Sequence, residues 1–547
     1  MGGLRPLLET TMDQIFATNF TWIDWVIVIG YCSLSIIVGL FANKFVGNIA
    51  DFIVAGRGLR AWLGLATMTG TEIGLVTLMY MSEWGYNNGF AAYYSGLVWG
   101  VAFLMIGGSG FIIHKLREMR CMTIPEYYAR RYNKRTRIIG GILLAFSGIL
   151  NMGLFLQVGA KFVAVCTGIP ADGWSLKLVM TGMLSLVLVY TILGGMISVV
   201  ITDLAQFVIL GFGILIATIY AVTKFSWGGL VEAVDAAHGI GGFNPFAEGV
   251  MGPTHVVWQT FVAFAACALW ETATLRALAS SSPKTAKQMY MGSAITFSAR
   301  FILPATWGIA ALAYVHSNPQ LAAFVAGPDA PADMAMKAMP LFLAQNIPTV
   351  LLGILAAGMF AAFMSTHDSY LIAWSAVLTQ DVIGPLRRKG LTDKQRIWTT
   401  RVLILVIGIF LLVFGLWYET EAALWDYMAV TGSIYFAGAF VAIAMGMYWR
   451  RASSTGASMA LICGLFSVLG VLKWEAWWGI TWITPERVGI CTVCLAFTAM
   501  IVGSLLFPDS EPPKEGVVES KRDKMLRAEL EATETADESG IQEEEAS

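Results

Sequence analysis

Apolar runs long enough to cross a bilayer recur along almost the whole chain, separated by short polar stretches. A membrane-spanning helix takes about 20 apolar residues. On that window the pattern predicts helices near 22–42, 60–81, 89–114, 138–166, 176–194, 197–223, 255–279, 291–315, 348–382, 400–418, 422–448, 455–478 and 487–507. That makes about 13 transmembrane helices in an all-α polytopic membrane protein. Several runs are interrupted. The second span reads "LATMTGTEIGLVT", the seventh ends "LWETATLRALASSS", and the ninth carries Ser365, Thr366, His367, Asp368 and Ser369 in a row. Polar groups or irregular backbone at membrane depth are tolerated only where they line a cavity or are buried in protein. Paired interruptions in corresponding places of two halves mark a transporter's binding region. Taking the second and seventh spans as the first helices of two five-helix units gives core repeats of about 60–223 and 255–418. Five being odd, the units have opposite orientation.

The basic residues support this count. Loop 115–137 holds eight Lys or Arg, and loop 383–401 holds Arg387, Arg388, Lys389, Lys394, Arg396 and Arg401. Arg57 and Arg60, Lys284 and Lys287, and Arg450 and Arg451 fall on the same side, whereas loops such as 82–88 and 316–347 are poor in basic residues. Positive loops stay in the cytoplasm. The expectation is an extracellular N-terminal segment at 1–21, a transporter domain at 22–507 and a cytoplasmic acidic tail at 508–547. The tail, with few aromatics, reads as disordered. A bacterial inner (plasma) membrane is the expected location.

Composition agrees: the chain is 57% hydrophobic and 13% charged, where soluble domains carry about 25% charged residues. A net charge of −2 gives no reason to expect nucleic acid. Cys491 and Cys494 spell CxxC inside an apolar span, which reads as buried small hydrophobes rather than a metal or redox motif. There is no HExxH and no nucleophile elbow, so an enzyme is not expected.

The motifs "DFIVAGRGL", "TIPEYYARRY", "YTILGGMISVVITDLAQ", "LRALASSSPKTA" and "AAFMSTHDSYLIAWSAVLTQDV", in this order, resemble the sodium/solute symporter family. The resemblance implies a LeuT-like 5+5 inverted-repeat core, Na+ as coupling ion, a small-molecule solute and no organic cofactor. It also implies a sodium site with hydroxyl ligands from Ser365 and Thr366 and carbonyl ligands from Ala362, Ala66 and Thr69. From chemistry alone, a desolvated Na+ suits hydroxyls and carbonyls, but a Ser-Thr pair in a helix also back-bonds to the carbonyl four residues earlier. Asp203 resembles a family aspartate on the sodium exit path; capping or ion pairing is its other reading. Asp368 is expected to hold the helix by local hydrogen bonds.

The solute side resembles the choline-transporting branch most, through Trp270, with Glu72 standing where that branch has tryptophan. Glu72 and Glu271 suit an amine, amino acid or other cationic or zwitterionic solute, or else pair with Arg300 or another helix. His367 departs from the usual small residue; it packs, contacts solute, or carries a proton. The rival functions are a proton-coupled carrier using His367 or Glu72, and a transporter-like sensor acting through a separate partner at the tail.

Overall fold

The computed structural model describes residues 17–42, 49–171, 173–247, 251–325, 333–418, 424–472, 474, 478–510 and 517. The chain before Ala17 and nearly all of the acidic tail lie outside the described residues. Helices dominate, and among the described residues the only β-pairing recorded is an isolated bridge between Leu59 and Ser280.

The main helices are α1 (Trp22–Ala42), α2 (Ala61–Glu72), α3 (Leu75–Asn88), α4 (Tyr93–Ser109), α5 (Lys134–Met152), α6 (Phe155–Thr167) and α7 (Gly173–Ile192). They continue with α8 (Gly195–Gly242), α9 (Gly252–Leu269), α10 (Glu271–Ala279), α11 (Pro283–Ser317) and α12 (Leu351–Val377). The last are α13 (Asp393–Trp417), α14 (Leu424–Tyr448), α15 (Ser454–Cys463) and α16 (Pro485–Leu506). Among the described residues, ten helical stretches are long and apolar enough to cross a membrane, with two shorter apolar helices at Trp22–Val38 and Ser454–Gly470. One of the ten, Leu75–Ser109, contains both α3 and α4. They are separate spans, because the chain reverses at Gly89, whose φ of 59° suits glycine. The reversal is visible along α11. Gly64, Met68 and Glu72 meet Met289, Ser293 and Arg300 in ascending order, whereas Tyr93, Gly100 and Gly107 meet Thr306, Ser298 and Met291 in descending order. Splitting that stretch and adding the two short helices accounts for all thirteen predicted segments.

Burial sorts the helices into inner and outer. The apolar window of α13 is only 28% buried, while that of α9 and α10 is 89% buried. Ile29, Ile37, Phe212 and Ile409 expose more than half of their surface, the face a bilayer would cover. The inner helices carry the polar groups, as ionisable residues inside a membrane bundle require.

The second and seventh spans, expected to be interrupted, are each two half-helices, α2/α3 and α9/α10. Several other expectations need correction. The 225–254 and 316–347 loops are partly helical: α8 runs on past a kink at Ser226 (φ 56°), and Pro319–Val325 and Met334–Asn346 form short helices. The 455–478 span is α15 followed by a tighter 3-10 turn at Gly464–Val471. Cys491 and Cys494 are exposed on the bundle exterior rather than buried. Not every basic loop residue is solvated either: buried Arg117 donates to the Ser280 carbonyl at 2.8 Å, and Arg131 to that of Gly446 at 2.7 Å. Outside the repeats, Asp24 of α1 accepts from the backbone N–H groups of Val350 and Gly353 and so caps the start of α12.

Candidate ion and solute site

Helix α2 stops at Glu72 because Ile73 and Gly74 leave helical geometry (ψ 69° and 157°). The final bond of its ladder runs from Ile73 N–H to the Thr69 carbonyl at 2.9 Å, which leaves the carbonyls of Gly70 and Thr71 beyond it. Helix α12 crosses this break and presents its polar stretch there. The Ser365 hydroxyl lies 2.8 Å from the Gly70 carbonyl, and the Thr366 hydroxyl 3.1 Å from that of Thr71. Both also reach the Ala362 carbonyl, at 3.2 and 2.9 Å. Back-bonding and inter-helix contact therefore occur together. Three carbonyls and two hydroxyls are clustered at the C-terminal, partially negative end of α2. Each hydroxyl has one proton to donate and lone pairs to spare.

The structure brings the hydroxyl pair and the Ala362 carbonyl together. The hydroxyls reach Gly70 and Thr71 rather than the other two predicted carbonyls: Thr69's accepts Ile73 N–H, and Ala66 sits a turn earlier inside α2. The reason is the position of the break, which frees Gly70 and Thr71 instead. Gly74 permits the approach of α12, since a Cβ there would stand 2.3 Å from the Thr366 hydroxyl oxygen.

The second break falls at Trp270, extended between α9 and α10 (φ −74°, ψ 119°). Between the two breaks lies a cavity lined by Glu72, Tyr80, Asn151, Trp270, Arg300 and Trp425, among others. The Trp270 indole donates to the Tyr370 hydroxyl at 2.8 Å and meets Trp374 and Phe436 edge-on. Glu72 accepts from Thr272 at 2.6 Å and from Arg300 at 3.2 Å, while Arg300 also donates to the Glu72 carbonyl at 2.8 Å. The guanidinium carbon sits 4.5–5.3 Å from the ring centres of Phe297, Phe301 and Trp99, a cation–π setting that favours its charge.

Two of the predicted solute contacts are elsewhere. Glu271, although next to Trp270 in sequence, points away from the cavity and accepts from the Ile124 N–H at 3.2 Å. His367 does not line the cavity; its Nδ1 bonds the Phe363 carbonyl at 2.9 Å and its ring lies against Phe363 and Phe155. Residues three and four apart share a helix face and neighbours in sequence do not, so adjacency to Trp270 or Thr366 was misleading.

Beside the hydroxyl pair, on the α2 and α10 side of the breaks, is a buried polar knot that sequence reading missed. Arg276 of α10 donates to Ser369 at 2.5 Å and Thr71 at 2.6 Å, and lies 3.5 Å from Asp203. Asp203 of α8 also accepts from Thr67 at 2.5 Å and Thr71 at 3.1 Å. Asp368 accepts from Tyr190 at 2.8 Å and Ser369 at 3.1 Å. Ser369 is the local partner expected for Asp368, whereas Tyr190 reaches it from α7. Asp203 has the ion-pair partner that its second reading proposed, but Arg276 is the partner rather than a basic loop. An arginine within a predicted span was the available signal, since such a residue needs a carboxylate nearby.

Paired helix breaks around a largely apolar and aromatic cavity that holds a few polar groups, with oxygens gathered beside one break, fit a secondary transporter rather than an enzyme. The comparisons make this specific. The chain matches the Sodium:solute symporter family over residues 52–464, and it belongs to that family. It is 22% identical to a sodium/sialic acid symporter of Proteus mirabilis, over 82% of this chain and 90% of the relative. It is 24% identical to a sodium/glucose cotransporter of Vibrio parahaemolyticus (82% and 84%) and 26% identical to a sodium/pantothenate symporter of Haemophilus influenzae (75% and 83%). The substrate-bound, outward-open structure of a Na+-coupled sialic acid symporter superposes with a TM-score of 0.75 at 19% identity, covering 90% of this chain and 99% of that one. The fold is thus the LeuT-like one.

Proposed function

We propose that this protein imports a small zwitterionic or cationic solute together with Na+ by alternating access. One observation carries the reading: two hydroxyls of α12 meet the carbonyls freed where α2 breaks. Sodium bound by Ser365, Thr366 and Ala362 with the carbonyls of Gly70 and Thr71 would join α2 to α12. An ion shifts a conformational equilibrium only by its difference in affinity between states, and a site that bridges two moving bodies has such a difference. Moving one Na+ inward down 100 mV yields about 2.3 kcal/mol. A tenfold gradient adds about 1.4 kcal/mol, enough together to accumulate a neutral solute on the order of several hundredfold.

Solute binds between the breaks, against Trp270 and its aromatic neighbours. Glu72 meets an amino group and Arg300 a carboxylate, each exchanging part of its partner's hold for the ligand's. Asp203 and Arg276 close the way beyond the ion and must part for it to leave. The amino end faces outside and the acidic tail the cytoplasm, a reading that the side of the basic loops supports. Proton coupling has less support, because His367 is bonded within its own helix and Glu72 is paired with Arg300.

The test is sodium-dependent thermal stabilisation of purified protein, with potassium at equal ionic strength as control. Wild type gains stability in sodium, and Ser365→Ala/Thr366→Ala loses that gain. An undiminished gain in the variant would overturn the assignment. Amines, amino acids and sugars are then screened for further stabilisation in sodium.

A further inference from the structure

Away from the sodium cluster, three helix starts converge: His255 in the first turn of α9, Asp426 in that of α14 and Glu486 in that of α16. One imidazole nitrogen and one carboxylate oxygen from each acid all lie within 4.8 Å of one another. His255 Nδ1 is 3.1 Å from a Glu486 oxygen. The His255 side chain is buried, and its ring stacks on Trp84 with centres 5.3 Å apart and planes 21° apart. That stack holds the imidazole edge towards the acids. Its other nitrogen, Nε2, is buried with no hydrogen-bond partner among the described residues.

The positive ends of three helices favour carboxylates, yet they give no reason for an imidazole between them. Even with the imidazole protonated, two carboxylates leave the cluster one negative charge in excess. From these residues we propose a divalent transition-metal site of the zinc class, with His255, Asp426 and Glu486 as ligands. Zinc takes three protein ligands plus water at bonds of about 2.0–2.2 Å, which puts neighbouring ligand atoms about 3.4 Å apart. Small side-chain rotations close the present cluster to that spacing. An imidazole with carboxylates favours zinc over Mg2+ or Ca2+, which prefer all-oxygen sites.

The metal would clamp α9 to α14 and α16. Trp425, beside Asp426, and Met428 and Ala429 on the following turn line the solute cavity, so the clamp fastens one wall of the cavity at its end. This inference does not rest on the sodium reading.

The experiment is calorimetric titration of tag-free full-length protein with ZnCl2 in a sodium-free potassium buffer, with MgCl2 as the parallel titrant. Thermal unfolding of the same samples accompanies it. Wild type is expected to bind one Zn2+ per chain, to unfold at higher temperature with it, and to bind Mg2+ at least tenfold more weakly. His255→Ala and Asp426→Asn should each weaken zinc tenfold or more, and Cys491→Ser/Cys494→Ser should leave it unchanged. Should His255→Ala fail to fold, Asp426→Asn with Glu486→Gln supplies the same readout. The proposal is overturned if wild type shows no saturable zinc binding, if zinc and magnesium bind alike, if the ligand variants lose less than tenfold, or if the cysteine variant abolishes binding.

Discussion

Adding one methyl group at Gly74 should weaken the proposed sodium site about tenfold while removing none of its oxygens. The backbone there (φ −80°, ψ 157°) suits any residue, so Gly74→Ala brings no conformational strain of its own. The difficulty is space. The new Cβ would lie 2.3 Å from the Thr366 hydroxyl oxygen, 3.1 Å from its Cβ and 3.2 Å from its methyl carbon. Thr366 is buried and β-branched on a packed helix, so it has few rotamers to retreat into. Overpacking of this kind costs about 1–3 kcal/mol, and relief comes by moving the hydroxyl or α12 away from the break. Either move parts the Thr366 hydroxyl from the Thr71 carbonyl. A loss of about 1.4 kcal/mol at the ion is a tenfold loss of affinity. At a sodium concentration 100 times the wild-type dissociation constant, bound ion stabilises by about 2.7 kcal/mol, and a tenfold weaker site gives about half of that. The assay is the sodium-minus-potassium difference in unfolding temperature, measured over a sodium titration. Gly74→Ala should shift the titration midpoint tenfold or more. Adding Thr366→Ser, which removes the methyl and lets the hydroxyl turn, should recover part of it. A wild-type midpoint in Gly74→Ala would refute the reasoning, since α12 would then need no close approach to the break.

Two other outcomes follow from ion pairs. Arg276→Gln leaves Asp203 and Asp368 buried without their cation, and removing one partner of such a pair typically costs 3–5 kcal/mol; urea or thermal unfolding should show a loss of about that size, with Arg276→Gln/Asp203→Asn losing less than the sum of the singles. On the loop before Met334–Asn346, burial alone would raise the Asp333 carboxyl, but hydrogen bonds and charge from Lys161 and Lys337, each at 2.7 Å, hold it below its ordinary value. A depressed carboxylate contributes stability above its unfolded pKa and loses it as pH falls through the folded one, so Asp333→Asn should unfold earlier than wild type near pH 7 and the gap should narrow as the pH drops below the usual aspartate range.

The spans were legible in the sequence because a bilayer imposes one length and one chemistry on every helix. The breaks were legible too, as Gly, Thr and Glu where Leu or Ile would serve a lipid face. The register within them was not. Which carbonyls come free depends on where the last ladder bond forms, and Ile73 rather than a glycine makes it. Ser365 and Thr366 were singled out by resemblance, since hydroxyls in a helix also back-bond, whereas His367 and Glu271 carried two readings each, and the structure shows the packing one for His367 and the contact with another helix for Glu271. Their directions are set by rotation about the helix axis, about 100° per residue for 3.6 residues per turn, and sequence proximity carries no such information. Arg276 and Arg300 were visible as charges, but their partners come from helices up to hundreds of residues away.

The bridge between Leu59 and Ser280 has a mechanical meaning. Leu59 N–H bonds the Ala279 carbonyl at 3.1 Å, and Ser281 N–H bonds that of Leu59 at 2.9 Å. The foot of α2 is thereby stitched by backbone to the foot of α10, while Arg276 and Thr71 fasten them again one stroke higher. Two short rods pinned at both heights cannot pivot separately. Any movement of one about the non-helical residues Ile73–Gly74 would carry the other about Trp270, so the two breaks are coupled by construction.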